Sequence, residues 1–450
     1  MIAPIQSPGS TVKSTGLFRT ADGKNYALLF LLVTSLFLLW GVCNGMIDIL
    51  NKHFQDSLHI NKMQSAFVQF ANYMGYFFMA IPSGLLARRF GYKGAIIIGL
   101  ALVATGSFWF IPATHIGTYW AFLLGLFILA AGLTCLETVA NPYTTVLGPP
   151  ETGAARINLA QSGNGVGWMI GPVLGGWFVL SSTSEANTSN ADLYKPYLII
   201  GAAVSLIALL FVLAKVPDLH AEEECKIETG KGTILLKPLF QRWHFVLAVA
   251  AQFFYVAAQT GVFSYFVNYL ASETPPLTEN LAHLLPANLT ALKDGAYHIT
   301  DQGAGDLLSF GAFGLFLLGR FTGSFALRIV KPSAMLALYS AINVIMMILI
   351  IVPMGWWSVA GLFLSFFFMS IMYPTIFALG IHGLGEQTKR AASFIVMAIV
   401  GGAVMPLFMG WLADHWGMRI GFFMPLLCFA FVAFYGAAWQ KLESRDSVAR

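Results

Sequence analysis

The sequence predicts an all-α membrane protein whose twelve transmembrane helices form two six-helix bundles. Its composition is 57% hydrophobic and only 10% charged, whereas an average soluble domain carries about 25% charged residues. Its apolar runs are long enough to cross a hydrocarbon core of roughly 30 Å, which takes about 20 helical residues. An internal repeat divides these runs into two sets of six. The lipid bilayer is therefore the expected environment, and the net charge of +4 does not predict a nucleic-acid partner, because the basic residues lie at helix ends.

Each apolar run between two short polar segments predicts one span. Proline and glycine occur inside several of the runs, which membrane helices tolerate because neighbouring groups satisfy the freed backbone. In chain order, the predicted spans are 26–50, 62–86, 94–112, 119–147, 156–181, 196–214, 243–271, 306–328, 333–352, 356–382, 391–413 and 420–440.

The distribution of lysine and arginine predicts the orientation of these spans. If both termini are cytoplasmic, nineteen of the 25 Lys and Arg residues fall on the cytoplasmic side and five on the outer side, while Arg320 lies within a span. Cytoplasmic loops carry an excess of Lys and Arg. We therefore expect both termini in the cytoplasm.

A repeat links the fifth span to the eleventh. Arg156 and Pro172 are sixteen residues apart, as are Arg390 and Pro406, and a Gly-Trp pair follows each proline at the same distance. Parallel repeats of this kind are a known plan of membrane transporters, with the binding site between the halves. We predict a tail at 1–25, a six-helix bundle at 26–214, a cytoplasmic linker at 215–242, a second six-helix bundle at 243–440 and a second tail at 441–450.

Two carboxyl groups, Asp48 and Glu137, interrupt apolar spans of the amino-terminal half. A charged side chain at the centre of a bilayer costs at least about 2.5 kcal/mol and usually marks a polar pathway. No Lys or Arg lies at mid-depth in the first, second, fourth or fifth span, so we expect these acids to lack a cationic partner. Burial without such a partner favours the neutral form of a carboxyl group, so each can take up a proton on one side and release it on the other. The alternative for Asp48 is a water-accessible acid near the outer end of its helix.

Amide and aromatic side chains in the spans are candidate substrate ligands. Amides donate and accept hydrogen bonds, which suits sugar hydroxyls, and aromatic rings stack on the apolar face of a pyranose. The alternative is structural: hydrogen bonds between helices for the amides, and lipid contact or packing for the rings. The candidates are Asn44, Asn141, Gln161, Asn164, Gln259, Tyr265 and Tyr373, together with the two acids.

Three further features favour structure over chemistry. Gly167, Gly171 and Gly175 have the four-residue spacing of close helix packing, and the local Gly-x-Gly-x-Gly lacks the context of a dinucleotide site. Arg320 in the eighth span either snorkels to the surface or bonds to helix ends, in a structural or gating role. The histidines form no ligand-spaced pair, and the cysteines do not indicate a disulfide framework. We therefore expect no metal, no cofactor and no enzymatic activity.

The segment 82–93, Pro-Ser-Gly-Leu-Leu-Ala-Arg-Arg-Phe-Gly-Tyr-Lys, resembles the loop after the second helix in the major facilitator superfamily. The resemblance implies the major facilitator fold. It also implies a gating or structural role for Arg88 and Arg89. Arg88 departs from the family pattern because it stands where the family usually has an acid.

More specific stretches resemble the family of fucose:proton symporters and glucose/galactose transporters. They include Leu136-Glu-Thr-Val-Ala-Asn-Pro-Tyr, Gly319-Arg-Phe-Thr-Gly and Met369-Ser-Ile-Met-Tyr-Pro. The resemblance implies proton-coupled monosaccharide uptake by alternating access. It further implies that Asp48 and Glu137 serve substrate recognition and proton coupling, and that Gln161, Asn164 and Tyr373 line the cavity.

Three positions depart from the fucose permease pattern. Gly45 and Ile47 each replace an asparagine, and Met372 replaces a glutamine. These differences leave open which sugar is carried: fucose, galactose, glucose or a related hexose. Glu137 favours the fucose-type arrangement. The coupling cation is expected to be a proton, with sodium as the alternative because some relatives use it.

We therefore expect a monomeric sugar importer of the bacterial cytoplasmic (inner) membrane. An uncoupled facilitator and an exporter on the same scaffold are the alternatives. A polytopic enzyme or receptor is disfavoured, because the chain shows neither a nucleophile–base set nor metal ligands.

Overall fold

The structure of this chain is a computed structural model, and it is almost entirely helical. It describes residues 17–19, 25–58, 62–175, 194–214, 216–217, 239–284, 286, 289–293 and 295–448. Most of the predicted tail at 1–25 and most of the predicted linker at 215–242 lie outside these residues.

The described residues of the amino-terminal half form five α-helices, and one of them holds two spans. Helix α2 (Lys62–Ile116) is broken at Gly91, whose φ of 70° and ψ of −179° are not helical. Glycine suits this position because it has no Cβ. The second and third predicted spans therefore meet at a glycine instead of a loop. The other helices are α1 (Ala27–Leu58), α3 (Tyr119–Val146), α4 (Gly153–Gly175) and α5 (Tyr194–Leu213).

The helices of the carboxyl-terminal half are more often interrupted. A π-helical segment (Leu307–Ala312) precedes the helix that begins at Phe313, and a 3₁₀ turn (Ala398–Val400) separates two further helices. A small antiparallel hairpin of β1 (Thr290–Lys293) and β2 (Ala296–Ile299) follows the first two helices of this half. The helices are α6 (Trp243–Glu273), α7 (Glu279–Leu284), α8 (Asp301–Asp306), α9 (Phe313–Ala326), α10 (Pro332–Ile351), α11 (Trp356–Met369), α12 (Met372–Ile381), α13 (Thr388–Met397), α14 (Gly401–Trp416), α15 (Met418–Gly421) and α16 (Phe423–Val448).

The helices account for twelve spans. Among the described residues, nine helical stretches are long and apolar enough to cross a membrane, and one of them, Phe70–Ile116, is 47 residues long and holds two spans. Tyr197–Leu213 is a shorter apolar helix. Helix α4 supplies the remaining span, and its polar residues Asn158, Gln161 and Asn164 explain its lower hydropathy. The predicted fold of two six-helix bundles is confirmed.

Helices α1 and α4 cross at glycines. A Cβ added to Gly41 would lie 2.9 Å from the Cα of Gly167, and one added to Gly171 would lie 3.0 Å from the Cα of Gly45. Such distances leave no room for a side chain, so the two backbones are in contact. The predicted packing role is confirmed for Gly167 and Gly171, whereas the surroundings of Gly175 lie outside the described residues.

We call the face of the molecule that holds the start of α1 and the end of α16 the terminal face. At this face Arg156, at the start of α4, is fully buried. Its guanidinium donates to the backbone oxygens of Thr144, at 3.1 Å, and of Thr145, both in the last turn of α3. The last carbonyls of a helix have no partner within it, so Arg156 caps α3.

Several contacts among the described residues join the halves between the protein centre and the terminal face. Asn158 Nδ2 of α4 donates to Thr375 Oγ1 of α12 at 3.2 Å. The ammonium of Lys389, in α13, lies 4.5 Å from the ring centroid of Tyr92, in α2. Gly84 of α2 also lies against α13, where an added Cβ would be 2.9 Å from the backbone oxygen of Lys389. The two halves are therefore closed against each other on the terminal side.

Candidate functional site

The two halves meet at a buried carboxyl group in the middle of the molecule. Glu137 of α3 is 4% exposed. The hydroxyl of Tyr373, in α12, donates to its Oε1 at 2.5 Å. The fourth span of one half and the tenth span of the other thus share one hydrogen bond.

A proline explains why α11 and α12 break beside Tyr373. Pro374 has no backbone N–H, so the carbonyl oxygen of Ser370, four residues earlier, has no helical donor. Arg320 Nε donates to this oxygen at 3.1 Å. The hydroxyl of Tyr255 donates to the neighbouring carbonyl oxygen of Met369 at 2.9 Å. The break is therefore stabilised by side chains from α9 and α6.

Arg320 is buried, with 4% of its surface exposed, and does not snorkel to the surface. Its NH1 donates to the backbone oxygen of Gln161 and to Asn164 Oδ1, the latter at 3.3 Å. It also interacts electrostatically with Glu137. The expectation that Glu137 lacks a nearby cation is therefore wrong. The reason is that the cation comes from the opposite half, which an inspection of the amino-terminal spans does not reveal.

The amides of the amino-terminal half form a cluster beside the carboxyl group. Gln161 Nε2 donates to Asn141 Oδ1 at 3.0 Å. Among the described residues, Asn141 Nδ2, Asn164 Nδ2 and Glu137 Oε2 have no hydrogen-bond partner. An unsatisfied buried donor or acceptor costs about 1–3 kcal/mol. These three atoms can therefore bind the hydroxyl groups of a polar ligand with a gain in free energy.

An aromatic pair closes the other side of the carboxyl group. The indole N–H of Trp40 donates to the hydroxyl of Tyr76, and Trp40 also lies beside Glu137. Asn44 is 6% exposed, and its Nδ2 donates to the backbone oxygen of Trp40 at 2.9 Å. The hydrogen bonds around Glu137 thus involve α1, α2, α3 and α12.

The remaining predicted ligands are placed differently. Asp48 lies in the helical backbone of α1, but its side chain lies outside the described residues. Gln259 is half-buried in α6. The hydroxyl of Tyr265 donates to the backbone oxygen of Pro406, in α14, at 2.9 Å. Tyr265 is thus engaged with a helix of its own half.

Arg88 and Arg89, predicted as gating or structural residues, are exposed at the end of the second span, just before Gly91. The guanidinium of Arg89 lies 5.5 Å from the ring centroid of Phe90. Their position is at the terminal face and not at the buried carboxyl group.

The sequence did not single out Tyr76, Asn158 or Thr375. Trp40 was not among the candidate ligands either. Trp40 and Asn44 are four residues apart and so share a helix face, which is a signal that would have found Trp40. Tyr76 and Thr375 carry no comparable signal, because tyrosine and threonine are common in apolar helices for packing alone.

The described residues contain no group of three or more His, Cys, Asp or Glu side chains that could hold a metal ion. Cys43, Cys135 and Cys428 are buried free thiols, and Cys225 lies outside the described part of the chain.

The chain matches known proteins along most of its length. The model of the Major Facilitator Superfamily matches residues 29–399. The chain is 38% identical over 447 residues to the L-fucose-proton symporter of Escherichia coli (strain K12), covering 94% of this chain and 97% of that protein. It is 36% identical over 427 residues to the glucose/galactose transporter of Brucella abortus biovar 1 (strain 9-941), covering 94% and 96%.

The fold also matches solved structures. Crystal structures of the Escherichia coli fucose:proton symporter FucP match with a TM-score of 0.78 and, for a structure in the outward conformation, 0.77. Both matches have 37% sequence identity and cover 92% of this chain and 99% of the solved chain.

Proposed function

This chain belongs to the major facilitator superfamily and, within it, to the family of the L-fucose–proton symporter and the glucose/galactose transporters, and we propose that it imports a monosaccharide together with a proton by alternating access. These relatives are named as transporters and not as enzymes. The substrate is a hexose such as fucose, galactose or glucose.

The observation that carries the proposal is the buried bond between Glu137 and Tyr373. The carboxyl group of Glu137 is 4% exposed and is hydrogen-bonded to the other half. A change in its protonation therefore changes the strength of a contact between the halves. When charged, it accepts a strong hydrogen bond from Tyr373 across the halves. When protonated, it loses the charge that strengthens this bond, and its O–H can donate to a sugar hydroxyl.

The chemistry of the surrounding groups suits a sugar. Asn141 Nδ2, Asn164 Nδ2 and Glu137 Oε2 offer donors and an acceptor without partners in the described structure. The rings of Trp40 and Tyr373 lie beside the same carboxyl group and provide flat apolar surface for a pyranose. Asp48, Asn44, Gln161, Gln259 and Tyr265 complete the proposed substrate site.

The contacts that hold the halves together support alternating access. The Asn158–Thr375 bond and the contacts of α2 with α13 close the terminal side. Sugar and a proton enter from the opposite side, and Glu137 takes up the proton. Weakening of the Tyr373 bond then lets the halves move, the contacts at the terminal side break, and sugar and proton leave there.

We place the protein in the cytoplasmic (inner) membrane of a bacterium as a monomer, with the terminal face in the cytoplasm. The excess of Lys and Arg in the loops of that face supports this orientation. No cofactor is required, because the energy comes from the cation gradient. The two bundles at 26–214 and 243–440, joined by the linker at 215–242, are the moving parts.

The test is uptake of a labelled sugar panel into proteoliposomes that contain the purified chain. Fucose, galactose, glucose, mannose, fructose and N-acetylglucosamine are each tested with an imposed proton gradient and, separately, with a sodium gradient. We expect uphill uptake of one or more sugars with the proton gradient alone.

The other outcomes of this test each revise a different part of the proposal. Uphill uptake with sodium alone would keep the sugar and reject the proton. Equilibration without accumulation under either gradient would indicate a facilitator. Transport of none of the six sugars would reject the proposed substrate class.

Asp48 is proposed to bind the sugar and couple it to the proton on Glu137. We expect Asp48→Asn to weaken sugar binding or proton coupling in the same liposomes. Wild-type affinity together with wild-type accumulation in this variant would remove Asp48 from the site.

A further inference from the structure

Gln252 of α6 is a fully buried amide. It is 0% exposed, and neither its Oε1 nor its Nε2 has a hydrogen-bond partner among the described residues. Buried polar groups in native proteins are almost always hydrogen-bonded, and each exception needs an explanation. A ligand or a second conformation that satisfies the amide is such an explanation.

The helix face of Gln252 shows where the amide lies. Residues three and four apart share a face, so Gln252 shares one with Ala248, Tyr255 and Gln259. This face packs against α12. Ala248 lies against Gly380, and the ring of Tyr255 lies 6.4 Å from the ring of Tyr373. Gln252 therefore lies along α12, one turn closer to the terminal face than Tyr255.

The amino-terminal half has a counterpart at a similar depth. Asn141 follows Glu137 by one turn of α3 toward the terminal face. It is 0% exposed, and its Nδ2 has no partner in the described part of the chain. Each half thus carries a fully buried amide, with at least one atom that has no hydrogen-bond partner among the described residues, on the terminal side of the Glu137–Tyr373 bond.

In the present arrangement, the closed terminal side keeps these amides from water. The Asn158–Thr375 bond and the contact of Gly84 with α13 lie between the halves on this side. These contacts must break when the halves part at the terminal face. The two buried amides are then on the route that a sugar follows from Glu137 to the cytoplasm.

We propose that Gln252, together with Asn141, binds the sugar in the inward-facing state, as a release station between the Glu137–Tyr373 site and the terminal face. The amide of Gln252 donates one hydrogen bond and accepts another, which matches two neighbouring hydroxyls of a pyranose. The inference rests on the proposed sugar transport. It adds a sugar-binding residue, Gln252, which contacts the sugar only after the halves have moved.

The first test compares Gln252→Leu with the wild-type chain in proteoliposomes, using the sugar that the wild-type chain transports. Sugar affinity from the outer face is expected to stay within about twofold, because the amide is not reached from that side. The rate of sugar exchange is expected to fall about tenfold, as for the loss of roughly one hydrogen bond in the transport cycle. Gln252→Asn keeps the amide and is expected to retain more exchange than Gln252→Leu.

Ser107→Ala is the matched control. Ser107 of α2 is also 0% exposed with an unpaired hydroxyl, but it belongs to the third span, outside the proposed site. We expect wild-type exchange from this variant. If the wild-type chain transports sugar and the two variants exchange it at equal rates, the release station is overturned but the proposed function is not. A wild type that carries no sugar would instead overturn the proposed function.

The second test measures contact with the sugar directly. Gln252→Cys is made in a chain with Cys225→Ser, because the other three cysteines are buried. Inside-out vesicles are treated with a membrane-impermeant maleimide, with and without sugar. We expect labelling that the sugar slows at least severalfold. Equal labelling with and without sugar would show a water-exposed residue that binds no sugar. Labelling of Cys225 in the wild-type chain is the positive control. If Cys225 reacts and Gln252→Cys does not, position 252 never becomes accessible to water. Either result would reject the proposal.

Discussion

Glu137 shows how one residue can serve both halves of this molecule. Its carboxyl group lies in α3, yet its closest described partner, Tyr373, lies 236 residues further along the chain. A charge-assisted hydrogen bond is about twice as strong as a neutral one. Adding or removing one proton at Glu137 therefore changes the attraction between the halves more than a change at an exposed residue would.

Replacement of Glu137 by glutamine separates proton coupling from sugar binding. Glu137→Gln keeps the size and the acceptor for Tyr373 but cannot bind and release a proton. We expect proton-driven accumulation in proteoliposomes to be abolished, while sugar exchange stays within about threefold because the hydrogen-bonding shape remains. The exposed Glu151→Gln is the control, with normal accumulation expected. Undiminished accumulation by Glu137→Gln would rule out Glu137 as the proton carrier.

Tyr373→Phe removes the bond that joins the halves at this carboxyl group. A hydrogen bond to a charged group contributes about 1.5–3 kcal/mol, and its loss removes the donor that the opposite half supplies to Glu137. We expect accumulation to fall at least about tenfold, as measured in the same liposomes. Tyr339→Phe, at a half-buried tyrosine of α10, is the control. The bond has no role in transport if the two variants accumulate sugar equally.

Two pairs of helices show different structural devices. One pair packs closely, and the other is broken and has its free backbone carbonyl groups hydrogen-bonded by side chains. Helices α1 and α4 meet through glycines, so that their backbones touch. Helices α11 and α12 break at Pro374, and Arg320 and Tyr255 satisfy the freed carbonyl oxygens. The first solution fixes helices within one half. The second keeps a helix broken where Tyr373 must reach Glu137.

The glycine crossing gives a test of stability. A Cβ at Gly167 would lie 2.7 Å from the Cα of Gly41, so Gly167→Ala forces α1 and α4 apart. Overpacking of this kind costs about 1–3 kcal/mol. We expect a lower thermal midpoint in detergent. Gly314→Ala in α9, where nothing lies within 4 Å of an added Cβ, is expected to be neutral or stabilising. A midpoint for Gly167→Ala at or above that of the wild type would contradict the close crossing.

For the molecule as a whole, the contacts between the halves decide which side is open. In the described part of the chain, those on the terminal side include a hydrogen bond between Asn158 and Thr375, an ammonium–ring contact between Lys389 and Tyr92, and the close approach at Gly84. A transporter must be able to break and re-form such contacts, because the closed and open arrangements must differ by only a few kcal/mol for both to be populated.

Gly84→Val tests this balance. Its side chain would meet the backbone oxygen of Lys389 and the side chain of Ser393, so the halves cannot close fully at the terminal side. We expect the inward-facing state to gain population and sugar affinity measured from the outer face to fall about tenfold, a shift of about 1.4 kcal/mol. Gly314→Val, at an open position, is the control. Unchanged affinity from the outer face would mean that this contact does not control closure.

The sequence by itself determined what depends on local composition. The number of spans, the placement of Glu137 inside one of them and the close-packing glycines follow from the cost of placing each segment in a bilayer, which is a sum over neighbouring residues. The tertiary structure decided what depends on the meeting of distant segments. It brought Tyr373 to Glu137, gave Arg320 its carbonyl partners and left Gln252 buried without one. The hydrogen-bond partners of Tyr373 and Arg320 are 50 to 236 positions away along the chain, and the burial of Gln252 depends on how the helices pack. Only the packing of the two bundles determines these contacts, and no local sequence pattern encodes that packing.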